Sequence, residues 1–226
     1  MLSIVDLIEA DTITVELAAY ALAAIGNGAS FLTGALPGDA GKTTVMGALL
    51  NFVPAAVVLE AADGMPAIQR GMQQTKRQCY ICHEIGRGPY YAYLWGGDLR
   101  AYFGLLDAGH MLATNLHADS YDQARRQICQ ENGVPIAQLR KMNVMFFIEM
   151  GRAGGRTARH IAEVWESDGQ IDHRCIFSPH GSMLSRSQLV DEGSQAAART
   201  AIEQLVGSGA RSIDQVRRLV VGGGGP

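Results

Sequence analysis

The stretch FLTGALPGDAGKTTVMGALL, residues 31–50, changes character twice. Phe31 and Leu32 open a short apolar run of the kind that fills a buried strand. Gly34, Gly38 and Gly41 punctuate the next ten residues and mark a turn. From Lys42 onward, KTTVMGALLNF reads as a helix, with Pro54 just beyond its end. Strand, glycine turn and helix in that order place a row of backbone N–H groups and a helix N-terminus at one spot.

Working outward, the same alternation recurs. Residues 13–25, ITVELAAYALAAI, have helical spacing, and GNG at 26–28 ends them. AAVVLEA (55–61) predicts a second buried strand. MPAIQRGMQQTKR is a helix or loop. QCYICHEI (78–85) predicts a third strand and YLWGGDLRAYFGLLDA (93–108) an amphipathic helix. HMLATNLH (110–117) predicts a fourth strand, SYDQARRQICQEN (120–132) a helix closed by Gly133, and NVMFFIEM (143–150) a fifth strand. Strands that are apolar on both faces and alternate with helices signal an α/β fold with a mostly parallel central sheet. After Met150, GRAGGRTARHIAEVWESDGQIDHRCIF predicts a small antiparallel meander. The expected organisation is one α/β domain over 1–180, a C-terminal helical segment over 181–221, and a disordered tail, GGGGP, at 222–226.

Composition narrows the function. With 226 residues, 47% hydrophobic and 18% charged, the chain can bury a sizeable core. A formal net charge of −3 gives no reason to expect nucleic acid as a partner. No apolar run reaches the ~20 residues of a membrane helix. The opening MLSIVDLIEADTI carries acids where a signal peptide carries Lys or Arg, so a cytoplasmic location is expected. CYIC has the spacing of half a zinc knuckle, but no second Cys pair stands at a suitable distance. Cys79 and Cys82 therefore read as small buried hydrophobes.

The glycine turn has the parts of a phosphate-binding loop. Such a loop points consecutive N–H groups inward, offers the positive end of a helix, and adds a Lys for the terminal phosphates and a hydroxyl for Mg²⁺. PGDAGKTT supplies Pro37, Gly38, Asp39, Ala40, Gly41, Lys42, Thr43 and Thr44. Leu36 stands where the strict pattern has its first Gly. Hydrolysis also needs an acid at a neighbouring strand end to hold the metal shell, as Thr43 does directly, and to polarise water. Glu84 closes the 78–85 strand, and Glu60, with Asp63 after it, closes the 55–61 strand. His110 and His117 flank the fourth strand seven residues apart. An alternating strand turns them to opposite sides, so they bracket the strand rather than share a metal.

Together PGDAGKTT, VVLEAAD, CYICHEIGRG and GHMLATNLHAD resemble, in order and spacing, the motif series of the secretion ATPases of type II and type IV systems. These are the ring motors of pilus assembly, secretion and conjugation. The GRAGGRTARHIAEVWESDG hairpin continues the likeness, which covers about residues 13–180. The resemblance implies a RecA-like ATPase using ATP and Mg²⁺. Lys42 and Thr43 would hold phosphate and metal. Glu84 would be the Walker B acid, reaching Mg²⁺ through water, and Glu60 the acid that helps position water. His110 and His117 would sense nucleotide state and link subunits. It further implies a homo-oligomeric ring, a hexamer, docked on an inner-membrane platform protein at the cytoplasmic face.

The chain departs from the family at His83, where a Gly precedes the acid, at Gly86 and Arg87, at Ala61 and at Asn115. The family's N-terminal domain, which closes over the nucleotide with arginines, has only about thirty residues here to stand in for it. The expectation is that a partner supplies that clamp. The alternative is a slow or non-hydrolysing ATP-binding adaptor.

Overall fold

The computed structural model describes residues 2–36, 38–153, 156–178 and 187–222. Pro37, 154–155, 179–186 and the tail residues 223–226 lie outside it.

β1 (Phe31–Gly34) runs through the middle of an eight-stranded sheet. It pairs in parallel with β5 (Met111–Leu116) on one side and β6 (Val144–Ala153) on the other. Beyond β5 lie β3 (Gln78–Ile85) and then β2 (Val58–Ala61), both parallel, with β4 (Tyr93–Leu94) also against β3. Beyond β6, β7 (Arg156–Glu166) and β8 (Arg174–Phe177) run antiparallel. The expected meander is thus an extension of the main sheet, joined through β6, which continues straight past Met150.

Alternate residues of each central strand feed two cores. Phe31, Cys79, Met111, Ala113, Val144 and Phe146 face one side. There they meet α1 (Ile4–Glu9), α2 (Val15–Gly26), α3 (Lys42–Leu49) and α8 (Glu192–Gly207). Leu32, Tyr80, Cys82, Leu112, Met145 and Phe147 face the other side and meet α4 (Met65–Gly71), α5 (Gly97–Gly104), α6 (Tyr121–Arg125) and α7 (Ile136–Arg140). Each large side chain so buried stabilises the fold by about 1.5–3 kcal/mol relative to exposure. Cys79 and Cys82 are fully buried, and burial pushes both thiols up to about 12. They are packing groups, as expected. α8 packs on α2 and sends Ala198, Ile202 and Leu205 into the first core, and α9 (Ile213–Gly222) adds Val216.

Several elements differ from expectation. α1 has no counterpart in the periodicity of the sequence; Ser3 and Asp6 form a capping box that starts it. β2 is not buried. All four of its residues are exposed, because it is an edge strand paired only with β3 among the described residues. The 93–108 stretch begins as β4, and Gly96, at φ +60°, turns the chain into α5. The 120–132 helix widens to π-helical pairing over 126–131.

Two buried polar groups tie the layers together. The Glu166 carboxylate, fully buried, accepts from Tyr20 Oη (2.9 Å), Arg174 Nη2 (2.8 Å), Ser187 Oγ (2.7 Å) and the Gln188 amide (2.6 Å). It joins α2, β7, β8 and the approach to α8. His173 is also buried; its Nε2–H donates to the Met142 carbonyl at 2.7 Å, and its Nδ1 has no partner among the described residues.

Burial holds His173 below its ordinary value, against smaller opposing effects of the Met142 bond and Asp172. The folded state therefore keeps it neutral while the unfolded chain takes up a proton near pH ~6.5. Its contribution to stability is complete above that pH and is lost as pH falls below it, toward the lower folded value. Urea unfolding between neutral and mildly acidic pH should show a steeper acid loss in the parent than in His173→Asn. Parallel curves for the two would contradict this.

Candidate functional site

The loop after β1 begins at Gly34. A Cβ there would lie 2.6 Å from the Ala118 carbonyl oxygen and 2.7 Å from Phe147 Cδ1, so only glycine lets the chain leave the sheet here. Gly41 then adopts φ +90°, a left-handed conformation, and serves as the N-cap of α3. No side chain caps this helix. Its first N–H groups are open to an anion, and the helix dipole favours one.

Lys42, the first residue of α3, is buried. Its Nζ lies 3.8 Å from Glu84 Oε2 and 3.3 Å from His117 Nδ1, and His117 Nε2 lies 3.7 Å from the same Glu84 oxygen. Nδ1 is also 3.1 Å from the Leu36 carbonyl. It can accept from Lys42 or donate to Leu36, according to tautomer. Glu84 is buried, and its Oε1 has no partner among the described residues. Burial raises the Glu84 carboxyl, with Lys42 and then His117 pulling it back; burial lowers Lys42, with Glu84 pulling it back. At 3.8 Å the attraction does not offset the desolvation of either partner.

A register shift delivers Glu84 to this position. β3 pairs Cys82 with Thr114 and Ile85 with Leu116, so His83 and Glu84 together face Asn115. Such a bulge re-aims a side chain and frees a ladder carbonyl. Asn115 Nδ2 takes up the freed His83 carbonyl at 2.7 Å and lies 3.5 Å from Thr43 Oγ1. Its Oδ1 accepts from Thr33 Oγ1. Asn115 thus bridges the acid-bearing strand, the loop strand and the helix after the loop. In the sequence it stands out only as a departure from a motif. The signal present there is an amide inside an apolar strand, where a buried polar group must find partners.

The other expected residues are divided between the site and the rest of the sheet. Gly38, Asp39 and Thr43 are exposed, Thr44 half-buried and Ala40 buried, all at the start of α3. Pro37 lies outside the described residues. Glu60 does not join the cluster: it is exposed on the edge strand, opposite Tyr80, four residues before Glu84 along β3. His110 does not join it either. It stands before β5, at the sheet edge opposite the loop, because β5 runs parallel to β1. There its Nδ1 accepts from the Gln78 amide at 3.1 Å and its Nε2–H donates to the Gly71 carbonyl at 2.9 Å. Both His110 nitrogens are thus used by the backbone, and its ring stands edge-on to Tyr80. Among the described residues no group of His, Cys, Asp and Glu could by itself hold a metal ion.

The strand bearing Glu84 is separated from the loop strand by one inserted strand, β5. No family model matches the sequence, and no curated protein matches it. Among solved structures the chain is similar to the VirB11 ATPase from the Brucella suis type IV secretion system, in complex with sulphate. Identity is 19% and the TM-score 0.47, over 64% of this chain and 50% of that one. It is also similar to the Legionella pneumophila ATPase DotB, at 11% identity and a TM-score of 0.44, over 88% of this chain and 62% of that one. The chain spans about half the length of the first.

Breaking the buried pair from one side should be costly. Lys42→Met strands the carboxylate and should destabilise the fold by about 1–3 kcal/mol, whereas Lys42→Met with Glu84→Gln should recover most of the loss. A double-mutant cycle by urea unfolding checks this. Additive single effects would show that the two groups do not interact.

Proposed function

We propose that the chain binds ATP with Mg²⁺ on the loop of residues 37–44 and hydrolyses it, as a motor subunit of a type II or type IV secretion, pilus or conjugation-like machine. The observation that carries the nucleotide reading is the Lys42–Glu84–His117 cluster. A buried cation and a buried, half-satisfied carboxylate meet at the uncapped start of α3. Nothing in packing requires this arrangement, and a polyphosphate with a metal would complete it.

In this reading the amides of Gly38 to Thr44 cradle phosphate and Lys42 turns from Glu84 to the phosphate oxygens. The residues present fit Mg²⁺. Thr43 offers an exposed hydroxyl, and the free Glu84 oxygen can hold the ion's water shell. The metal would neutralise charge developing on the phosphates. Glu84, its proton affinity raised by burial, accepts the proton of the attacking water as the bond from the terminal phosphorus to the bridging oxygen breaks, leaving ADP and phosphate. His117 stands between Glu84 and solvent, placed to respond to what occupies the loop. Asn115 holds β1, β3 and α3 in register.

The machine rests on the four motif blocks and their order. So do the homo-oligomeric ring, the membrane-platform partner, and a cytoplasmic or membrane-peripheral location. No helix among the described residues is long and apolar enough to cross a membrane.

The test is phosphate release from the chain with Mg-ATP over a range of protein concentrations, beside direct nucleotide titration. Lys42→Ala should weaken ATP binding about tenfold or more, the loss of a charge-assisted contact. Glu84→Gln should keep binding while turnover falls by about 10²–10⁴. A rise in activity steeper than linear with concentration would support ring assembly. Unchanged ATP affinity in Lys42→Ala, or parent-like turnover in Glu84→Gln, would overturn the assignments.

A further inference from the structure

Arg159 lies in the middle of β7, opposite Met150 of β6. It comes from more than a hundred residues beyond the loop, yet its Nε donates to the Asp39 carbonyl at 3.1 Å. Its stem crosses the N-cap of α3: a Cβ on Gly41 would meet Arg159 Cδ at 3.4 Å. The side chain is half-buried and held at its base. Its two terminal nitrogens have no hydrogen-bond or ion-pair partner among the described residues. The neighbouring hairpin carboxylate, Glu149, faces His160 instead.

This is a poor place for an unpaired cation. The N-terminus of α3 carries the positive end of the helix dipole, and Lys42 is its first residue. Glu84 comes from β3, on the far side of β1 from β7. Thus two cations flank the loop from opposite directions, and among the described residues only the one on the β3 side has a carboxylate. A fork of free guanidinium donors pinned over the loop has the geometry for bidentate phosphate binding.

We propose that Arg159 is a second anion anchor of the loop, supplied by the same chain, and that it takes the phosphate nearest the nucleoside. This rests on the nucleotide reading above. The terminal phosphates lie at Lys42 and Glu84, so the polyphosphate runs from β3 toward β7 and its α-phosphate reaches Arg159. Contact with the α-phosphate is shared by ADP and ATP. An arginine acting on the terminal phosphate would distinguish them.

The experiment is calorimetric titration of the full chain with ADP and with a non-hydrolysable ATP analogue, both with Mg²⁺. Arg159→Gln keeps part of the stem over Gly41 and removes the charge. Arg159→Lys keeps a charge without the fork, and Arg152→Gln, an exposed arginine of the same hairpin, is the control. Arg159→Gln should weaken both ligands by the same factor, about tenfold, with Arg159→Lys intermediate and Arg152→Gln unchanged. Affinities within twofold of the parent for both ligands, or a loss confined to the triphosphate, would overturn the assignment of Arg159 alone. A parent chain that binds neither ligand would overturn the nucleotide reading and this inference with it. Thermal melting of Arg159→Gln and Arg159→Lys separates a binding loss from a folding loss.

Discussion

β5 lies between β1 and β3, and the arrangement of the site depends on that insertion. Parallel pairing puts the carboxyl ends of all three strands at one edge. β1 delivers the loop, β3 delivers Glu84, and β5 delivers Asn115 and His117 into the gap between them. Thr33 pairs with Asn115 in register, so the hydroxyl before the loop meets the amide that holds His83. Moving β5 by one residue would turn Asn115 to the other face and break its links to Thr33 and His83. The bulge in β3 is a local irregularity within this frame, and it is what aims the acid.

The energetics point toward a ligand. A buried Lys–Glu pair at 3.8 Å, with one carboxylate oxygen unpartnered, contributes little to stability compared with apolar groups of the same volume. At the opposite edge of the sheet, Glu166 shows what a fully satisfied buried carboxylate looks like here, with four donors at 2.6–2.9 Å. Glu166 ties four segments of the fold together, whereas Glu84 keeps an oxygen with no partner among the described residues beside the first residue of α3.

Much of this was legible in the sequence. The strand–glycine–helix run at 31–50 and the two-faced apolar strands specify a parallel sheet and its loop, because their periods leave few alternatives. Lys42 and Glu84 could be picked from position alone, one at the start of a helix and one at the end of a strand. Burial of β2 could not, since VVLEA reads the same in the centre of a sheet as at its edge. Spacing did set His110 and His117 at opposite ends of a strand, but it could not show that the Gln78 amide and Gly71 carbonyl would engage His110. Asn115 and Arg159 make their contacts through folding, across strands or over a long sequence separation; local pattern marks Asn115 only as an amide inside an apolar strand and carries no trace of Arg159's contact with the loop.

Whether the loop holds a nucleotide can be seen in a crystal structure of the full chain grown with Mg²⁺ and a non-hydrolysable ATP analogue. Phosphates should be seated on the amides of residues 38–44, with Lys42 Nζ moved from Glu84 to a phosphate oxygen. An analogue seated elsewhere, or a saturated crystal with Lys42 still facing Glu84 across an empty loop, would contradict it.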